Sequence, residues 1–406
     1  SEIKNQYFIG HSLKTGLELK ENSVRHCKSE RETQLISAPK TKTMSVKQSS
    51  LPILNTNITN QHSVKPFAAW NYARYVRDNP KNDYYGLAIS GNWRIKPNNN
   101  TIQLFSPAWL WINEEDKEYG IWHYKDKHRS FSTNTQYGKF LLHPNRKALD
   151  ISKAGYVKAL IKELEHQINL PKNYHPNSQY HGVMFDWWHD NRPVPWKEKS
   201  FKIRSNIVDE IRNKFGSEFL ITGNVNWYLD NLAEKMNGVF LELYKSKNSE
   251  PYSIIKIQEM IELIKFYEAN LLPPKLIALN SWRITSRPED ISERWSQENY
   301  QFARLFTAMS SVIPDNGYIL YGDNNADYIE TEHEHEYYDF FEINLGNSVT
   351  EHVELLQGLG FRNFKEGTIV YNSTPNDYII LFENFAVFSP CMDGLFINGN
   401  GKVIQN

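Results

Sequence analysis

Two acids in this chain stand in the same local setting. In His181-Gly-Val-Met-Phe-Asp186 a short apolar run ends in an aspartate, and in Asn237-Gly-Val-Phe-Leu-Glu242 a matching run ends in a glutamate. A continuous apolar run closed by an acid reads as a buried strand whose last residue reaches a rim. Trp187 and Trp188 follow the first acid directly; His189 and Asp190, which come next, read as loop-stabilising. Two carboxylates that face one cleft can break a glycosidic bond. One stabilises or attacks the oxocarbenium-like centre while the other, protonated, assists the leaving oxygen. A separation of about 5–5.5 Å gives retention of configuration and about 6.5–9.5 Å gives inversion. Burial beside aromatic rings, or a like charge close by, keeps the second acid protonated.

Other capable side chains end similar runs. Asn224, in Thr222-Gly-Asn224, can hydrogen-bond a sugar hydroxyl, orient a carboxylate, or serve as a turn residue. Asn280, Trp282 and Arg283 follow another run, and Arg283 can pair with a carboxylate and keep it ionised. Asp323 lies in Tyr321-Gly-Asp-Asn-Asn, where a rim acid and a turn residue are alternatives, and Trp70 and Asn71 end the first run. Trp93, Trp109 and Trp111 lie in loops where core packing and stacking compete.

Such residues need elements that bring them to one place. From Lys65 onward, short apolar runs alternate with helix-length amphipathic segments, the signature of βαβ units and a parallel sheet. The runs are Pro66–Trp70, Tyr84–Ser90, Thr101–Phe105, His181–Asp186, Glu218–Thr222, Gly238–Leu243, Lys275–Leu279 and Gly317–Tyr321. Eight strands close a barrel, so the predicted fold class is α/β, a (β/α)8 TIM barrel over residues 64–345. Helices are predicted at Lys153–Ile168, Ile203–Phe215, Ser253–Glu268 and Ser292–Ser311; Ile254, Ile257, Ile261 and Ile264 repeat at helical spacing. Barrel enzymes build their sites at the C-terminal ends of the strands, and Ser106–Leu149 predicts a long loop on that face. Residues 346–406 carry short β-type runs between Asn, Gly and Pro turns and read as a small C-terminal antiparallel β domain. Residues 1–63 are polar and aperiodic and read as an arm or linker.

Composition narrows the partners. Net charge is −1 over 406 residues, so no long-range field points to nucleic acid or an anionic membrane. Eleven Trp, 23 Tyr and 21 Phe exceed what a core of this size needs and leave rings for a binding surface. Flat rings suit the apolar faces of sugars and equally nucleobases; the balanced charge favours a carbohydrate. Cys27 and Cys391 are the two cysteines and form neither a disulfide framework nor a zinc pattern. No apolar run approaches the ~18 residues of a transmembrane helix. The chain starts at Ser1 without a charged-then-apolar leader; a leader already removed would place the protein outside the cell or in its envelope. Glu332-His-Glu-His-Glu336 alternates acids with His333 and His335 in a polar stretch and reads as a solvated loop. Ser310 and Ser311 lack a nucleophile-elbow setting. No metal or organic cofactor and no particular oligomeric state are predicted.

His143-Pro-Asn145, Gly182-Val-Met-Phe-Asp186-Trp, Ile221-Thr-Gly-Asn224, Asn237-Gly-Val-Phe-Leu-Glu242, Tyr337-Tyr-Asp-Phe and Gly360–Asn372 follow one another in order. That order resembles the glycoside hydrolases grouped as hypothetical glycosyl-hydrolase family 15, over roughly residues 66–372. The resemblance implies a barrel hydrolase with a C-terminal β domain and catalytic acids at strand ends. Retaining α-galactosidase-like barrels are similar in carrying a nucleophile at strand four and an acid/base at strand six, which implies Asp186 and Glu242 in those roles. Those enzymes use aspartate at both positions, whereas this chain has glutamate at the second. The expected function is therefore a retaining glycoside hydrolase acting on a polysaccharide or oligosaccharide. Trp187, Trp188 and Trp282 would stack on sugars, with Asn224, Asn280, Arg283, Trp70 and Asp323 completing the rim. The alternative is a non-catalytic carbohydrate-binding barrel with the same aromatics.

Overall fold

The computed structural model describes residues 41–46, 62–69, 85–90, 101–113, 146–169, 180–189, 197–225, 229, 232–246, 252–283, 297–323 and 338–404. The first elements are β1 (Lys42–Ser45), β2 (Phe67–Ala69), β3 (Leu87–Ser90), β4 (Ile102–Phe105), β5 (Trp111–Asn113), β6 (Arg146–Ala148) and helix α1 (Tyr156–Asn169). Next come β7 (Gly182–Phe185), α2 (Lys197–Phe215), β8 (Leu220–Asn224), β9 (Gly238–Ser246), α3 (Ile254–Asn270), β10 (Leu276–Arg283), α4 (Gln297–Val312) and β11 (Gly317–Asp323). Six strands finish the chain: β12 (Val353–Leu356), β13 (Leu359–Phe364), β14 (Gly367–Asn372), β15 (Tyr378–Leu381), β16 (Ala386–Ser389) and β17 (Asp393–Asn398).

All eight predicted barrel runs are strands, and they pair in parallel in the order β2-β3-β4-β7-β8-β9-β10-β11. The two ends of this sheet meet: Pro66 bridges Ile319 in parallel, and the Ile319 N–H donates to the Lys65 carbonyl at 3.0 Å. The architecture is a nearly closed (β/α)8 barrel. Side-chain period two sorts each strand into two faces. Met184, Leu220, Phe240, Ala278 and Leu320 join Phe67, Leu87 and Leu104 in one buried cluster to which every strand contributes, the barrel interior. The residues between them, such as Val183, Phe185, Ile221, Leu241 and Leu279, pack in a second cluster with the helices.

The repeated Gly-Val of the two acid-bearing strands has a steric cause. A Cβ on Gly182 would meet the Leu220 carbonyl oxygen at 2.1 Å, and one on Gly238 the Leu276 carbonyl oxygen at 2.5 Å. Glycine at both positions lets the next strand approach. The helices follow from local signals. Ser253 caps α3 by accepting the Lys256 N–H at 3.2 Å, and Ile257, Ile261 and Ile264 are buried along one stripe. In α1, Tyr156, Leu160 and Leu164 are buried at four-residue spacing.

The excursion after β4 returns on itself: β5 and β6 pair antiparallel, Trp111 opposite Ala148. The C-terminal region holds two sheets, β12-β13-β14-β17 and β1-β15-β16. Leu359, Phe361, Val370, Tyr378, Ile380, Leu395 and Ile397 form their shared core. One element here was not foreseen. Strand β1, from the segment expected to be a polar arm, runs parallel to β15 with Lys42 opposite Tyr378 and Ser45 opposite Leu381. The β domain docks on α4, where Arg304 makes a two-point bond to Asp393 at 2.8 Å each and Gln301 donates to the Cys391 carbonyl at 2.7 Å. Helix α4 is accordingly buried both towards the strands and towards the β domain.

Candidate active site

Strand parity carries the interior face up to the rim. Two residues beyond Met184 stands Asp186, beyond Thr222 stands Asn224, beyond Phe240 stands Glu242, and beyond Ala278 stands Asn280. The four lie at the C-terminal ends of consecutive strands β7 to β10, and Glu242 and Asn280 are direct register partners. Asp186 and Glu242 are half-buried, and Asn224 between them is 4% exposed.

The Asn224 side-chain amide joins the two acids. Its Nδ2 donates to Asp186 Oδ1 at 2.8 Å and to Glu242 Oε2 at 3.3 Å. An amide nitrogen carries two hydrogens, so one group can hold both carboxylates. The backbone around it is locked across strands. The Trp188 N–H donates to the Asn224 carbonyl at 2.8 Å, and the Val225 N–H to the Phe240 carbonyl at 2.9 Å. Trp109 reaches in from the loop after β4, its indole N–H donating to the Asp186 carbonyl at 2.7 Å. The Tyr156 hydroxyl in turn donates to the Trp109 carbonyl, which ties the rim to α1.

The residue after Asp186 takes an unusual conformation. Trp187 has φ +58°, the left-handed region that bulky side chains rarely enter. The chain thus turns sharply at the strand end without a glycine. Trp187 stays half-buried, its ring near-parallel to His189 at 6.4 Å.

Trp188 corrects an expectation. It is fully buried, stacked on Phe185 at 4.6 Å and against Trp109 at 4.9 Å, with the Arg204 guanidinium 5.6 Å from its ring centre. Gly223 makes its place, since a Cβ there would meet Trp188 Cδ1 at 2.7 Å. Trp188 therefore braces the rim from behind and offers no face to a sugar. Trp109, where packing and stacking competed, is likewise packed, at 2% exposure. Asn280 is fully buried beside Glu242.

The backbones of Trp282 and Arg283 extend β10 above Asn280, opposite Gly322 and Asp323 of β11. The side chains of Trp282, Arg283 and Asp323 lie outside the described residues, as do Trp70, Trp93, His143–Asn145 and Glu332–Glu336. Among the described residues, no three His, Cys, Asp or Glu side chains gather as a metal site, and no helix is long and apolar enough to cross a membrane. Two features escaped the sequence reading: the hold of Trp109 on the Asp186 backbone, and the double role of Asn224. Parity could have found the second, because counting in twos from the buried run puts Asn224 on the same face as Thr222 and away from the turn.

No protein-family model matches the chain, and none of the curated proteins does. Solved structures do resemble it at a distance. The Bacillus cereus spore cortex-lytic enzyme SleL is 10% identical over 55% of this chain and 52% of its own, with a TM-score of 0.31. The α-glucosyl transfer enzyme XgtA is 9% identical over 70% and 71%, at 0.37. The GH36 α-galactosidase AgaA from Geobacillus stearothermophilus is 8% identical over 76% and 47%, at 0.35. The chain spans about half the length of SleL and of the α-galactosidase. These likenesses are too remote to carry an activity across.

Proposed function

We propose that this protein is a glycoside hydrolase that cleaves a polysaccharide or oligosaccharide with retention of configuration, through Asp186 and Glu242. One observation carries the reading: at the mouth of a parallel barrel, a single buried amide donates to both carboxylates. The two bonds cap the separation of the bonded oxygens at about 6 Å. That limit lies below the range of about 6.5–9.5 Å that accompanies inversion, which favours retention.

In the first step Asp186 attacks the anomeric carbon, and the glycosidic oxygen leaves with the proton of Glu242. In the second, Glu242 takes a proton from water, which displaces Asp186 from the sugar and restores both groups. The shorter amide bond falls on Asp186, the group that must be ionised to attack. The longer one leaves Glu242 freer to cycle its proton. Trp187, at the turn beside the nucleophile, would offer its ring to a sugar, with Trp282, Arg283 and Asp323 contributing from the ends of β10 and β11. Asn280 would act from beside Glu242, its register partner on the next strand.

A polysaccharide-digestion screen tests the proposal, with Asp186→Asn as the control. The expected result is product formation by the wild type and loss of turnover, on the order of 10³-fold or more, in the variant with glycan binding kept. NMR of the first-formed product should show the anomeric configuration of the substrate. Turnover unchanged in Asp186→Asn removes this residue from the chemistry. Glycan binding without turnover by the wild type across the screen would favour the non-catalytic barrel.

A further inference from the structure

Asp186 stands just past β7, where pairing with β8 ends at Phe185 opposite Gly223. Beyond that pair a side chain takes over: the Trp109 indole N–H donates to the Asp186 carbonyl at 2.7 Å. Trp109 is itself well fixed. It is 2% exposed, its ring lies against Phe185 at 5.7 Å and Trp188 at 4.9 Å, and its carbonyl accepts the hydroxyl of the buried Tyr156 on α1. The carbonyl that Trp109 holds belongs to the peptide joining Asp186 to Trp187, so its direction sets the ψ of the first residue and the φ of the second. Trp187 sits at φ +58°. A bulky residue keeps such a conformation only where its surroundings impose it. Downstream, the Trp188 N–H on the Asn224 carbonyl at 2.8 Å and the His189 N–H on the Trp187 carbonyl at 3.0 Å do so. Upstream, Trp109 does.

We propose that Trp109 is a positioning residue for the reaction: by fixing the Asp186–Trp187 peptide, it keeps the Asp186 carboxylate against the Asn224 amide. The role rests on Asp186 being the nucleophile proposed above. Asn224 holds this segment twice, by its side chain on Asp186 Oδ1 at 2.8 Å and by its carbonyl on the Trp188 N–H. Trp109 supplies the third hold, from a different loop and from the other side of the turn. Without the indole N–H the left-handed turn loses one of the bonds that impose it and can relax. Asp186, between that turn and the last strand pair, moves with it. A displacement of about 1 Å at a reacting group costs on the order of 10²-fold in rate. Phenylalanine at 109 removes the donor and keeps an aromatic ring among Phe185 and Trp188. If Trp109 only packed, that change would lower stability and leave the ionisation of Asp186 where it was.

The test compares the wild type with Trp109→Phe, Asn224→Ala and the double variant, and with Tyr156→Phe as a milder release of Trp109. On a substrate from the digestion screen, Trp109→Phe should lower kcat by about 10- to 100-fold with little change in KM. The acidic limb of kcat/KM should move to higher pH, as in Asn224→Ala, because each change weakens the bond that favours the ionised acid. The double variant should lose little more than Asn224→Ala alone, since both residues act through one contact. Tyr156→Phe should move the limb the same way by less. Titration of the Asp186 carboxyl carbon by NMR, assigned with Asp186→Asn, needs no turnover and should show the same ordering of pKa values. An unchanged Asp186 titration in Trp109→Phe, or fully multiplicative losses in the double variant, would overturn the positioning role even in an active enzyme. A shifted titration in a protein that cleaves no glycan would keep the hold of Trp109 on Asp186 and sink the hydrolase reading instead.

Discussion

Asn224 joins the two acids, and its removal separates positioning from folding. Asn224→Ala takes one donor from each carboxylate while leaving the strand and its backbone bonds in place. A donor aimed at a reacting charge is commonly worth about 10²–10³ in kcat, and a loss of that order is expected here. Because the lost bonds favour the ionised form of Asp186, the acidic limb of the kcat/KM profile should move to higher pH. A pH–rate series on the two proteins checks this; an unshifted limb would reduce Asn224 to a packing residue. The tryptophans show how far one side chain's identity goes. Trp187 and Trp188 are neighbours in sequence, but one is half-buried at a left-handed turn and the other fully buried behind the rim.

The strands reach the site because their lower ends can come close. Gly182→Ala places a methyl against the backbone of β8, a rigid obstacle. Overpacking of this kind typically costs about 1–3 kcal/mol, and chemical denaturation should show a loss at the upper end of that range. The predicted runs matched all eight strands because a barrel strand buried on both faces must be apolar throughout its length. Helix positions were also legible, from stripes such as Ile257, Ile261 and Ile264, although α2 begins at Lys197, well before the expected Ile203. Its early turns are polar enough to carry no periodic signal. Strand β1 was missed for a similar reason: Lys-Thr-Met-Ser, mostly exposed, becomes a strand only because β15 offers it an edge.

Over the whole molecule, the β domain packs on α4 in one apolar cluster and is tied there by the Arg304–Asp393 pair. Arg304→Met leaves Asp393 without its two-point partner, and Asp393 is 6% exposed. Breaking a buried pair from one side costs about 3–5 kcal/mol; the lower figure is expected because Arg304 keeps some surface wet. Differential scanning calorimetry would then show the β domain unfolding earlier than the barrel. Nearby, burial and the neighbouring Asp315 carboxylate raise Glu268 to about 7 from an ordinary 4.5. The folded chain keeps that proton between about 4.5 and 7 where the unfolded chain releases it, so this group's contribution to stability falls as pH rises through the window. Lys65, pushed down to about 7 from 10.5, does the reverse between about 7 and 10.5, where stability rises with pH. His352, lowered by burial and by Arg362 and Lys265 to about 3, adds a rise between about 3 and 6.5 that masks part of the Glu268 fall. Comparing Glu268→Gln with wild type isolates it: the variant's stability should climb more steeply between pH 4.5 and 7. Identical slopes would remove Glu268 from the pH response.

By itself the sequence determined the eight strands and set Asp186 and Glu242 at the C-terminal ends of two of them. Those follow from side-chain period and burial, which neighbouring residues encode. Tertiary structure alone decided that Trp188 and Trp109 brace the rim, that Asn224 bridges two acids 56 positions apart, and that β1 completes a sheet more than 330 residues downstream. Such facts depend on which distant segments meet in space, and no local pattern records that.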